Sequence, residues 1–555
     1  MKNVTVKDEK LQIKFKTSDQ TEFFSLLSAI KNNIVGRQWN SSLGVWVAPL
    51  LKKNVCLLRD LGFTIDDSIQ AKFSNSLISK NDDVSTTQKK DKGVHDFSSV
   101  FIDENQLEGF RDYQKDGVKF LEQRGGVGIV GDPMGLGKTI QALGYLKIHP
   151  ELSPVLIVCP ASLKLNWARE TMKWLGIDKY DIHIFQSRTA FQLGRTRLIY
   201  IINYDILKDW KDIILQRHMA VVIGDEVQYV ANVKTQRTKA FVEITKKVQQ
   251  KIMLSGTPIK SAASEFFTVL NLIAPNVFPN RYQYLRRYCD PKHNGYGWQY
   301  KGLSNGDELH DLISPYMIRR EKMEVLKELP EKIKSIIPLE CSSVELKKYV
   351  RASEEFKIWV KENQERAYVD EKLHIEHLKQ LAYLAKRNAV IEWIKEFLAT
   401  GQKLVIIALH RKALQDIMSS FPGISVLVDG SVSLKNKQAA VDAFQTDPKI
   451  RLFVGQMIAA GVGWTLTAAS SLAIIEFDWV PGNMEQAEDR IHRFGQEAES
   501  VNIYYLIADG TIDEDILRLV QAKSHLVGKI LDGKEKDFIP VNLMSQYITE
   551  VEKGV

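Results

Sequence analysis

The sequence is poor in cysteine and has no long apolar run. Its 555 residues include four cysteines, Cys56, Cys159, Cys289 and Cys341. No two of them form a Cys-x-x-Cys pair, which argues against a zinc ribbon and a disulfide scaffold. The apolar runs are strand-length, far below the roughly 18 residues of a membrane span, and the polar start lacks a signal peptide's apolar core. These absences predict a soluble protein of a reducing compartment, cytoplasmic in a bacterial or virus-infected cell and nuclear in a eukaryote.

Glycine and proline are also scarce, with 33 and 16 residues, which excludes a fibrous or low-complexity protein. The content of 44% hydrophobic and 26% charged residues is that of a globular protein. At roughly 100–200 residues per domain, the length predicts three or four domains. The 75 basic and 68 acidic residues leave a net charge of +7, a mild bias toward polyanionic partners.

The amino-terminal part of the chain is more basic than the rest. Residues 1–72 contain 11 Lys and Arg against 7 Asp and Glu, and 11 minus 7 gives +4. Residues 74–93, SNSLISKNDDVSTTQKKDKG, are polar and contain no aromatic residue, which is typical of a flexible linker. We therefore expect a small unit over 1–72 and a linker over 73–100.

From about residue 100, short apolar runs alternate with helical stretches, which predicts α/β lobes with parallel, doubly wound sheets. Two series of strands indicate two lobes, and the charged, mostly helical segment 281–400 separates them. The predicted strands are Val127–Val130, Val155–Val158, Leu198–Ile202, Met219–Ile223, Ile252–Leu254, Leu404–Ile407, Val426–Val428, Leu452–Val454, Leu472–Ile475 and Ile503–Leu506.

The segment GDPMGLGKT, residues 131–139, directly follows the first of these strands. Gly135 and Gly137 allow backbone N–H groups to approach phosphate oxygens, and Lys138 brings a positive charge to the β- and γ-phosphates. The Thr139 hydroxyl can ligate Mg²⁺. The strict G-x-x-x-x-G-K-[ST] pattern would place its first glycine at Asp132. The segment predicts a nucleotide-binding loop, with a tight strand-to-helix turn as the alternative.

Three further motifs have the residue types of a nucleotide-hydrolysing site. Asp225 and Glu226 end a strand, where Asp225 can hold Mg²⁺ and Glu226 can polarise water. Arg490 and Arg493 lie three apart, on one helical face, and can stabilise transition-state charge. Gln114 can read an adenine edge through its carboxamide. Each motif taken alone has a competing interpretation. The Asp-Glu pair also fits a solvated strand end, the arginine pair a salt-bridged surface helix, and Gln114 a surface glutamine.

The order of the motifs resembles the helicase superfamily that contains the Swi/Snf-type DNA translocases. The resemblance covers about residues 105–530 and is carried by FRDYQ, GDPMGLGKT, VLIVCPASLKLNWARE, GDEVQYVANVKTQRTKA, LSGTPI, AAGVGWTLTAA and EQAEDRIHRFGQ. The segments GWQYKGLSN, GWTLTAA, DWVPG and YYLIADGTIDEDI are similar to the annealing-helicase branch named HARP (HepA-related protein).

The resemblance implies two RecA-like lobes with helical insertions, ATP and Mg²⁺ in the cleft between them, and a small amino-terminal α+β module. It divides the chain into a HARP-like module (1–72), a linker (73–100), lobe one (101–280), insertions (281–385), lobe two (386–535) and a tail (536–555). It implies these roles: Lys138, Thr139, Asp225 and Glu226 in lobe one, Arg490 and Arg493 in lobe two, and Gly463 of AAGVGWTLTAA in nucleotide binding.

The DNA contacts follow from the same resemblance and are phosphate-directed and independent of base sequence. In the module, basic residues would bind phosphates and Trp39 and Trp46 would stack on unpaired bases, or the tryptophans would form the core of a tiny domain. The expected contacts are Arg37, Trp39, Lys52 and Lys53 in the module, Ser162, Asn166 and Trp167 in lobe one, and His410 and Arg411 in lobe two. The pairs Arg286–Arg287 and Arg319–Arg320 fit solvated helix faces as well as DNA contacts.

Two positions depart from the family pattern, which usually has Asp-Glu where this chain has Asp132–Pro133 and a histidine where it has Gln228. We expect an ATP-driven translocase on double-stranded or forked DNA that acts as a monomer and promotes strand annealing or fork remodelling. The alternatives are a motor that displaces DNA-bound proteins, and a weakly catalytic, nucleotide-dependent scaffold on DNA.

Overall fold

The computed structural model describes most of the chain from residue 100 onward and parts of the region before it. The described residues are 2–7, 10–15, 26, 30, 34, 38–40, 45–49, 54, 55, 58, 63–66, 95, 97, 100–194, 197–293, 297–362, 368–457 and 464–539. The chain divides into two compact units, Met1–Lys92 and Gly93–Val555. Within the described ranges, the helices are too short or too polar to cross a membrane.

The amino-terminal unit is built on a five-stranded sheet. Its strands are β1 (Lys2–Lys7), β2 (Lys10–Phe15), β3 (Gln38–Asn40), β4 (Val45–Pro49) and β5 (Thr64–Ile65), in the order β3-β4-β2-β1-β5. Because alternate residues of a strand face opposite sides, Leu11 and Ile13 of β2 share the buried face. Strands β3 and β4 pair antiparallel with Trp39 opposite Trp46. Trp46 packs half-buried against the core of this unit, which favours the packing interpretation for this residue.

The first lobe is a seven-stranded parallel sheet. Its central strands are buried on both faces, because helices cover both sides of such a sheet; the strand VLIVC is buried throughout. The sheet order is β14-β6-β11-β10-β7-β9-β8, with β6 (Val127–Val130), β7 (Val155–Cys159), β8 (Ile182–Ile184), β9 (Ile199–Asn203), β10 (Val221–Asp225), β11 (Gln250–Leu254) and β14 (Met317–Ile318). The helices are α1 (Asp112–Gln123), α2 (Lys138–Ile148), α3 (Lys164–Leu175), α4 (Leu207–Leu215), α5 (Gln236–Lys246) and α6 (Phe267–Ile273). Short 3₁₀ helices lie at Glu104–Leu107, Ala161–Leu163, Lys179–Asp181, Val227–Val230 and Ala263–Glu265.

The second lobe is a six-stranded parallel sheet in the order β15-β20-β19-β16-β18-β17. Its strands are β15 (Glu331–Leu339), β16 (Leu404–Ala408), β17 (Ser425–Val428), β18 (Leu452–Gln456), β19 (Ser471–Ile474) and β20 (Ser500–Ala508). Its helices are α12 (Arg411–Ser420), α13 (Leu434–Thr446), α14 (Pro481–Glu488) and α15 (Ile512–Leu531). The prediction of two parallel α/β lobes is confirmed.

The segment between the lobes is helical only in part. It contains α7 (Arg281–Tyr288), α8 (Gly306–Ile313), α9 (Lys322–Val325), α10 (Ser343–Glu362), α11 (Tyr368–Ala399), a 3₁₀ turn at Ser314–Tyr316 and a small antiparallel pair, β12 (Lys292–His293) with β13 (Trp298–Gln299). The same segment also gives β14 to the first sheet, beside β6, and β15 to the second, beside β20. A chain segment expected to be an insertion therefore belongs to both sheets.

Helix α15 touches the cores of both lobes. Ile516, Leu517 and Val520 in its first half pack in the core of lobe two. Ile530 and Leu531 at its end pack in the core of lobe one. The helix is 20 residues long, or about 30 Å at 1.5 Å per residue, which is long enough to reach from one core to the other.

Candidate nucleotide site between the lobes

The loop between β6 and α2 is shaped for close approach of its backbone. Gly135 and Gly137 have φ angles of +93° and +76°, in the left-handed region that glycine adopts without strain. A Cβ atom at Gly137 would lie 2.5 Å from Nε2 of Gln114, so a larger residue does not fit there. The loop thus turns tightly and leads into the positive end of α2, a suitable place for a phosphate group.

Lys138, the first residue of α2, is held by the loop that precedes it. Its Nζ donates to the carbonyl oxygens of Asp132, at 2.9 Å, and Pro133, at 3.3 Å. Burial lowers the pKa of Lys138, while the carboxylates of Glu226 and Asp225 act in the opposite direction. Because both acceptors are backbone carbonyls, the departure of the chain from the family pattern at Pro133 leaves this contact intact.

Arg319 and Arg320 hold the same loop in place. From the sequence alone, these two residues fitted a solvated helix face as well as a DNA contact. Arg320 forms an ion pair with the carboxylate of Asp132, which is fully buried. Arg319 donates to the carbonyl oxygens of Gly131, at 2.5 Å, and Gly256, at 3.0 Å, and pairs with Asp532 at 2.7 Å. The two arginines therefore lie in the interior, and neither solvated helix face nor DNA contact describes them in this structure.

Asp225 ends the central strand β10 and is buried. The indole Nε1 of Trp167 donates to its Oδ2 at 2.8 Å, and the Tyr204 hydroxyl donates to its backbone carbonyl at 2.8 Å. Burial raises the pKa of Asp225 to about 7, and the adjacent Glu226 adds to the effect. These contacts fix a carboxylate whose charge is costly unless a cation lies close to it.

A chain of hydrogen bonds leads from Glu226 to the second lobe. Gln228 donates to Glu226 Oε2 at 2.5 Å and accepts from the Ser255 hydroxyl at 2.6 Å. The Ser255 hydroxyl in turn accepts from the Thr257 backbone N–H at 3.1 Å. Gln486 of α14 donates to the Thr257 hydroxyl at 3.0 Å, which crosses from lobe two to lobe one. Gln228 thus occupies the position of the family histidine and forms a link in this chain.

Arg490 and Arg493 follow α14 and face the first lobe. Arg490 is fully buried, with Nη1 donating to the Trp464 carbonyl at 3.3 Å and Nη2 lying 3.7 Å from the Met134 sulfur of the phosphate loop. Arg493 donates to the Asp489 carbonyl at 3.1 Å and to the Thr465 hydroxyl at 3.3 Å. The interpretation of the two arginines as a solvated surface helix is therefore wrong.

A cavity of about 350 Å³ joins the two lobes at these residues. Lobe one contributes two lysines, two hydroxyls, two carboxamides and two carboxylates, and lobe two contributes an arginine and two carboxamides. The polar and charged residues along its wall are Lys138, Thr139, Asn166, Asp225, Glu226, Gln228, Tyr229, Lys260, Asn483, Gln486 and Arg493. Cations from both lobes beside a glycine-rich loop suit the phosphate groups of a nucleoside triphosphate.

The same cavity contains the residues that could hold Mg²⁺. The Thr139 hydroxyl and the Asp225 carboxylate both line it, and oxygen atoms are the ligands that Mg²⁺ prefers. In the described part of the chain, no group of three or more His, Cys, Asp or Glu side chains is placed to hold a metal ion by itself. A magnesium ion that takes its other ligands from water and substrate phosphates needs only one or two protein oxygens, so the residues present fit this ion.

Gln114 lies beside the phosphate loop but not along the wall of the cavity. Its Oε1 accepts from the Arg111 backbone N–H at 3.0 Å and caps α1, while Nε2 lies 3.4 Å from the Leu136 carbonyl. It is buried, so the interpretation as a surface glutamine is wrong. Its contact with adenine remains a prediction. Gly463 lies outside the described residues.

Two of the predicted DNA contacts do not agree with the structure. Trp167 is 1% exposed and its indole N–H is bonded to Asp225, so it supports the nucleotide site and presents no ring to DNA. His410 has both ring nitrogens engaged, with Glu476 at 2.7 Å and Glu376 at 3.1 Å. Burial lowers the pKa of His410, but hydrogen bonds to Glu376 and Glu476 outweigh it and raise the pKa to about 9. A charged histidine between two carboxylates has no N–H left for a phosphate.

The other predicted DNA contacts remain predictions. Asn166 is exposed and Ser162 is half-buried near the start of α3, and the exposed Arg411 lies 3.4 Å from Asp429. In the amino-terminal unit, Arg37, Lys52 and Lys53 lie outside the described residues. For Trp39 the structure gives the backbone in β3.

Two family models match the chain over these lobes. A model described as SNF2-related domain matches residues 113–389, and one described as helicase conserved C-terminal domain matches residues 385–495. The matched residues include the phosphate loop, Asp225 and Glu226 in the first case and both arginines of the motif in the second.

Two similar proteins are from vertebrates. The "DNA annealing helicase and endonuclease ZRANB3" of Homo sapiens is 35% identical over 76% of this chain and 40% of its own length. The "SWI/SNF-related matrix-associated actin-dependent regulator of chromatin subfamily A-like protein 1" of Xenopus laevis is 32% identical over 79% of this chain and 45% of its own length. The chain thus spans less than half the length of these relatives. A solved structure, the "Sulfolobus solfataricus SWI2/SNF2 ATPase core in complex with dsDNA", shares 24% sequence identity with this chain. The match covers 74% of this chain and 90% of the solved chain, with a TM-score of 0.37.

Proposed function

Because the chain belongs to the SNF2-related family and carries a helicase C-terminal domain, we propose that it is a DNA-dependent ATPase that translocates on double-stranded or forked DNA. We propose strand annealing or fork remodelling as its task, which agrees with the name of the human relative. The observation that carries the proposal is the shared cavity, to which lobe one brings Lys138 and Glu226 and lobe two brings Arg493.

In the proposed reaction, the phosphate loop binds the phosphates of ATP. Residues of both lobes then act on the γ-phosphate. Lys138 exchanges the carbonyls of Asp132 and Pro133 for phosphate oxygens, because a charged acceptor makes a stronger hydrogen bond than a carbonyl does. Glu226 accepts a proton from, and orients, the attacking water. Arg493 stabilises the charge that develops on the transferring phosphoryl group. When Thr139 and Asp225 hold Mg²⁺, the ion would neutralise part of the negative charge on the phosphates.

The link from hydrolysis to movement is supported by the hydrogen-bond chain from Glu226 to Gln486. The bonds of the chain are 2.5 to 3.1 Å long, and the last one joins the lobes. A change in the distance between the lobes acts first on the Gln486–Thr257 bond, and through Thr257, Ser255 and Gln228 it can reach Glu226. We infer that closure of the lobes and the orientation of Glu226 depend on each other, as a motor that alternates its grip on DNA requires.

The first experiment is ATP turnover with forked DNA for the wild type and for Lys138→Ala. We expect the variant to lose at least about a hundredfold in kcat, because it removes a charge aimed at the phosphates. Lys147→Ala, at the far end of the same helix, is the control and should hydrolyse ATP at the wild-type rate. Equal rates for wild type and Lys138→Ala would overturn the proposed site.

The second experiment separates the proposed task from the displacement of DNA-bound proteins. We expect the wild type to anneal complementary strands at a fork in the presence of ATP, and to do so less well after deletion of residues 1–92, the unit that the structure separates from the lobes. Removal of a protein roadblock without any annealing would favour the protein-displacing motor. Equal fork preference with and without residues 1–92 would contradict a DNA-binding role of the amino-terminal unit.

A further inference from the structure

Residues 317–334 connect the two lobes and contact elements of both lobes that carry the nucleotide site. We name this segment the interlobe strap. It begins with β14 in the first sheet and ends in β15 of the second. Its arginines, Arg319 and Arg320, bind the phosphate loop. Its lysines continue toward the second lobe, where they meet the acidic residues that precede the arginine pair.

The lysines of the interlobe strap form a buried ionic cluster with lobe two. Lys322 Nζ lies 2.8 Å from the carboxylate of Asp489 and donates to the His492 carbonyl at 3.3 Å. Lys332 contacts Asp489 at 3.0 Å and Glu488 at 3.2 Å, and Lys334 contacts Glu488 at 3.0 Å. The Glu488 side chain is fully buried, and Lys322 and Asp489 are nearly so.

The groups that Lys322 holds are the ones that carry Arg493. The carbonyl of Asp489 accepts the hydrogen bond from Arg493 Nε at 3.1 Å, and His492 directly precedes Arg493 in the chain. Lys322 thus contacts both Asp489 and His492 of the turn 489–493, and it does not line the nucleotide cavity. Arg493, at the end of the same turn, lines the cavity with Lys138 and Glu226.

We propose that Lys322 is a positioning residue for ATP hydrolysis, which fixes the turn 489–493 through Asp489 so that Arg493 stays aimed into the nucleotide cavity. The proposal rests on the proposed function. Lys322 follows two residues after Arg320, so one short segment sets the places of the phosphate loop and of Arg493. A misplacement of about 1 Å in such a group lowers the rate about a hundredfold.

Stability alone is the competing explanation for the cluster, although a buried ion pair often adds little net free energy of unfolding. A purely stabilising pair would leave kcat of the folded enzyme unchanged when it is removed. A positioning pair would lower kcat and leave the KM for ATP nearly unchanged, because the loop that binds ATP keeps its own contacts with Arg319 and Arg320.

The ionisation of Lys322 gives a second way to test the proposal. Burial lowers the pKa of Lys322 to about 8, although Asp489 raises it. Arg493 acts on its pKa as well. The charged and titratable groups that line the same pocket as Lys322 are Asp489 and His492 on the turn, Glu485 and Glu488 on α14, Glu331, Lys332 and Lys334 on β15, Arg319, Arg320 and Glu321 of the strap, and Asp532, Lys536 and Asp537 after α15. Above pH 8 Lys322 loses its proton and its ion pair with Asp489, whereas an arginine in its place stays charged.

The experiment compares Lys322→Met, Lys322→Arg and Glu321→Gln with the wild type at saturating forked DNA. Glu321→Gln is the matched control, because it removes the neighbouring, exposed ion pair of Glu321 with Lys534 at 2.6 Å. We expect Lys322→Met to lower kcat at least about tenfold, with the KM for ATP within about twofold of the control, and to speed amide hydrogen exchange in residues 487–494. The fall of kcat above pH 8 should be absent in Lys322→Arg.

A kcat of Lys322→Met within about twofold of the control, in an active wild type, overturns the inference and leaves the proposed function standing. A wild type that hydrolyses no ATP refutes the proposed function, and hydrogen exchange then decides the inference alone, since unchanged exchange in residues 487–494 contradicts it. If Lys322→Met does not fold, the pH profiles decide, and identical profiles of wild type and Lys322→Arg contradict the inference.

Discussion

The two lobes differ in the charged side chains that they place around the nucleotide cavity: lobe one brings carboxylates and lysines, and lobe two brings an arginine. In lobe one the carboxylates of Asp225 and Glu226 line the cavity, and arginines of the interlobe strap lie behind the loop. In lobe two Arg493 lines the cavity, and Asp489 lies behind it, paired with a lysine of the strap. In both lobes an ion pair outside the cavity (the rear) lies next to the element that carries a group lining the cavity (the front), and the interlobe strap supplies the cation of both rear pairs.

The largest effect should come from the front charge of lobe two. Arg493→Ala removes the cation that we place on the γ-phosphate, so kcat for ATP should fall about a thousandfold, while the enzyme stays folded. The control is Arg518→Ala on α15, which removes a half-exposed arginine paired with Glu514. Steady-state turnover of both variants measures the effect, and similar rates for the two would place the catalytic charge elsewhere.

The rear charge of lobe one should act on stability. Arg320→Leu leaves the buried carboxylate of Asp132 without its ion pair, and an uncompensated buried charge lowers the free energy of unfolding by about 3 kcal/mol. Denaturant unfolding of the Gly93–Val555 unit measures the change. Arg351→Leu removes an exposed pair with Glu355 and should change the free energy by at most about 0.5 kcal/mol; an equal effect of both variants would show that Asp132 does not depend on Arg320.

A pH test examines a second carboxylate–cation cluster of lobe two. His410 binds Glu376 and Glu476, which raise its pKa to about 9 against the effect of burial, compared with about 6.5 in an unfolded chain. The stability from this cluster is complete below pH 6.5 and is lost as the pH rises through 9, by about 2 kcal/mol between pH 7 and pH 9. Unfolding free energies at these two pH values should differ less in His410→Gln than in the wild type, and an equal difference would contradict the assigned pairing.

The smallest effect should come from one hydrogen bond between the lobes, that of Gln486 with Thr257. Gln486→Leu removes the donor to the Thr257 hydroxyl, a loss of about 1 kcal/mol. We therefore expect the ratio of DNA-stimulated to basal turnover to fall about fivefold. Gln445→Leu is the matched control, because Gln445 donates to a threonine hydroxyl within lobe two at 3.3 Å. A ratio that falls equally in both variants would show that the bond between the lobes has no special part in coupling.

Features of the site that rest on local patterns were predictable from the sequence. The phosphate loop needs glycines and a lysine at fixed spacing, and the Asp-Glu pair needs only the end of a strand. The positions of most central strands along the chain were predictable as well, because buried parallel strands are near-continuous apolar runs. The strand β15 was missed because its sequence, EKIKSIIPL, alternates charged and apolar residues at the edge of a sheet.

Features that depend on distant partners were not predictable. Arg320 finds Asp132 across 188 residues and Trp167 finds Asp225 across 58 residues. Within the sequence, the arginine pair of the interlobe strap has the same composition as a solvated helix face, and a tryptophan near a strand end is equally compatible with base stacking. Only the fold decides which of these side chains are buried and what they contact.

The measurement that tests the central claim most directly is the rate of ATP hydrolysis with and without forked duplex DNA, with RNA and single-stranded DNA in parallel. Because the two lobes complete one cavity and are linked by a hydrogen bond that DNA-driven closure would tighten, we expect forked or duplex DNA to raise kcat at least about tenfold over the basal rate. A slow rate that is the same with and without DNA would contradict the account and favour a weakly catalytic scaffold.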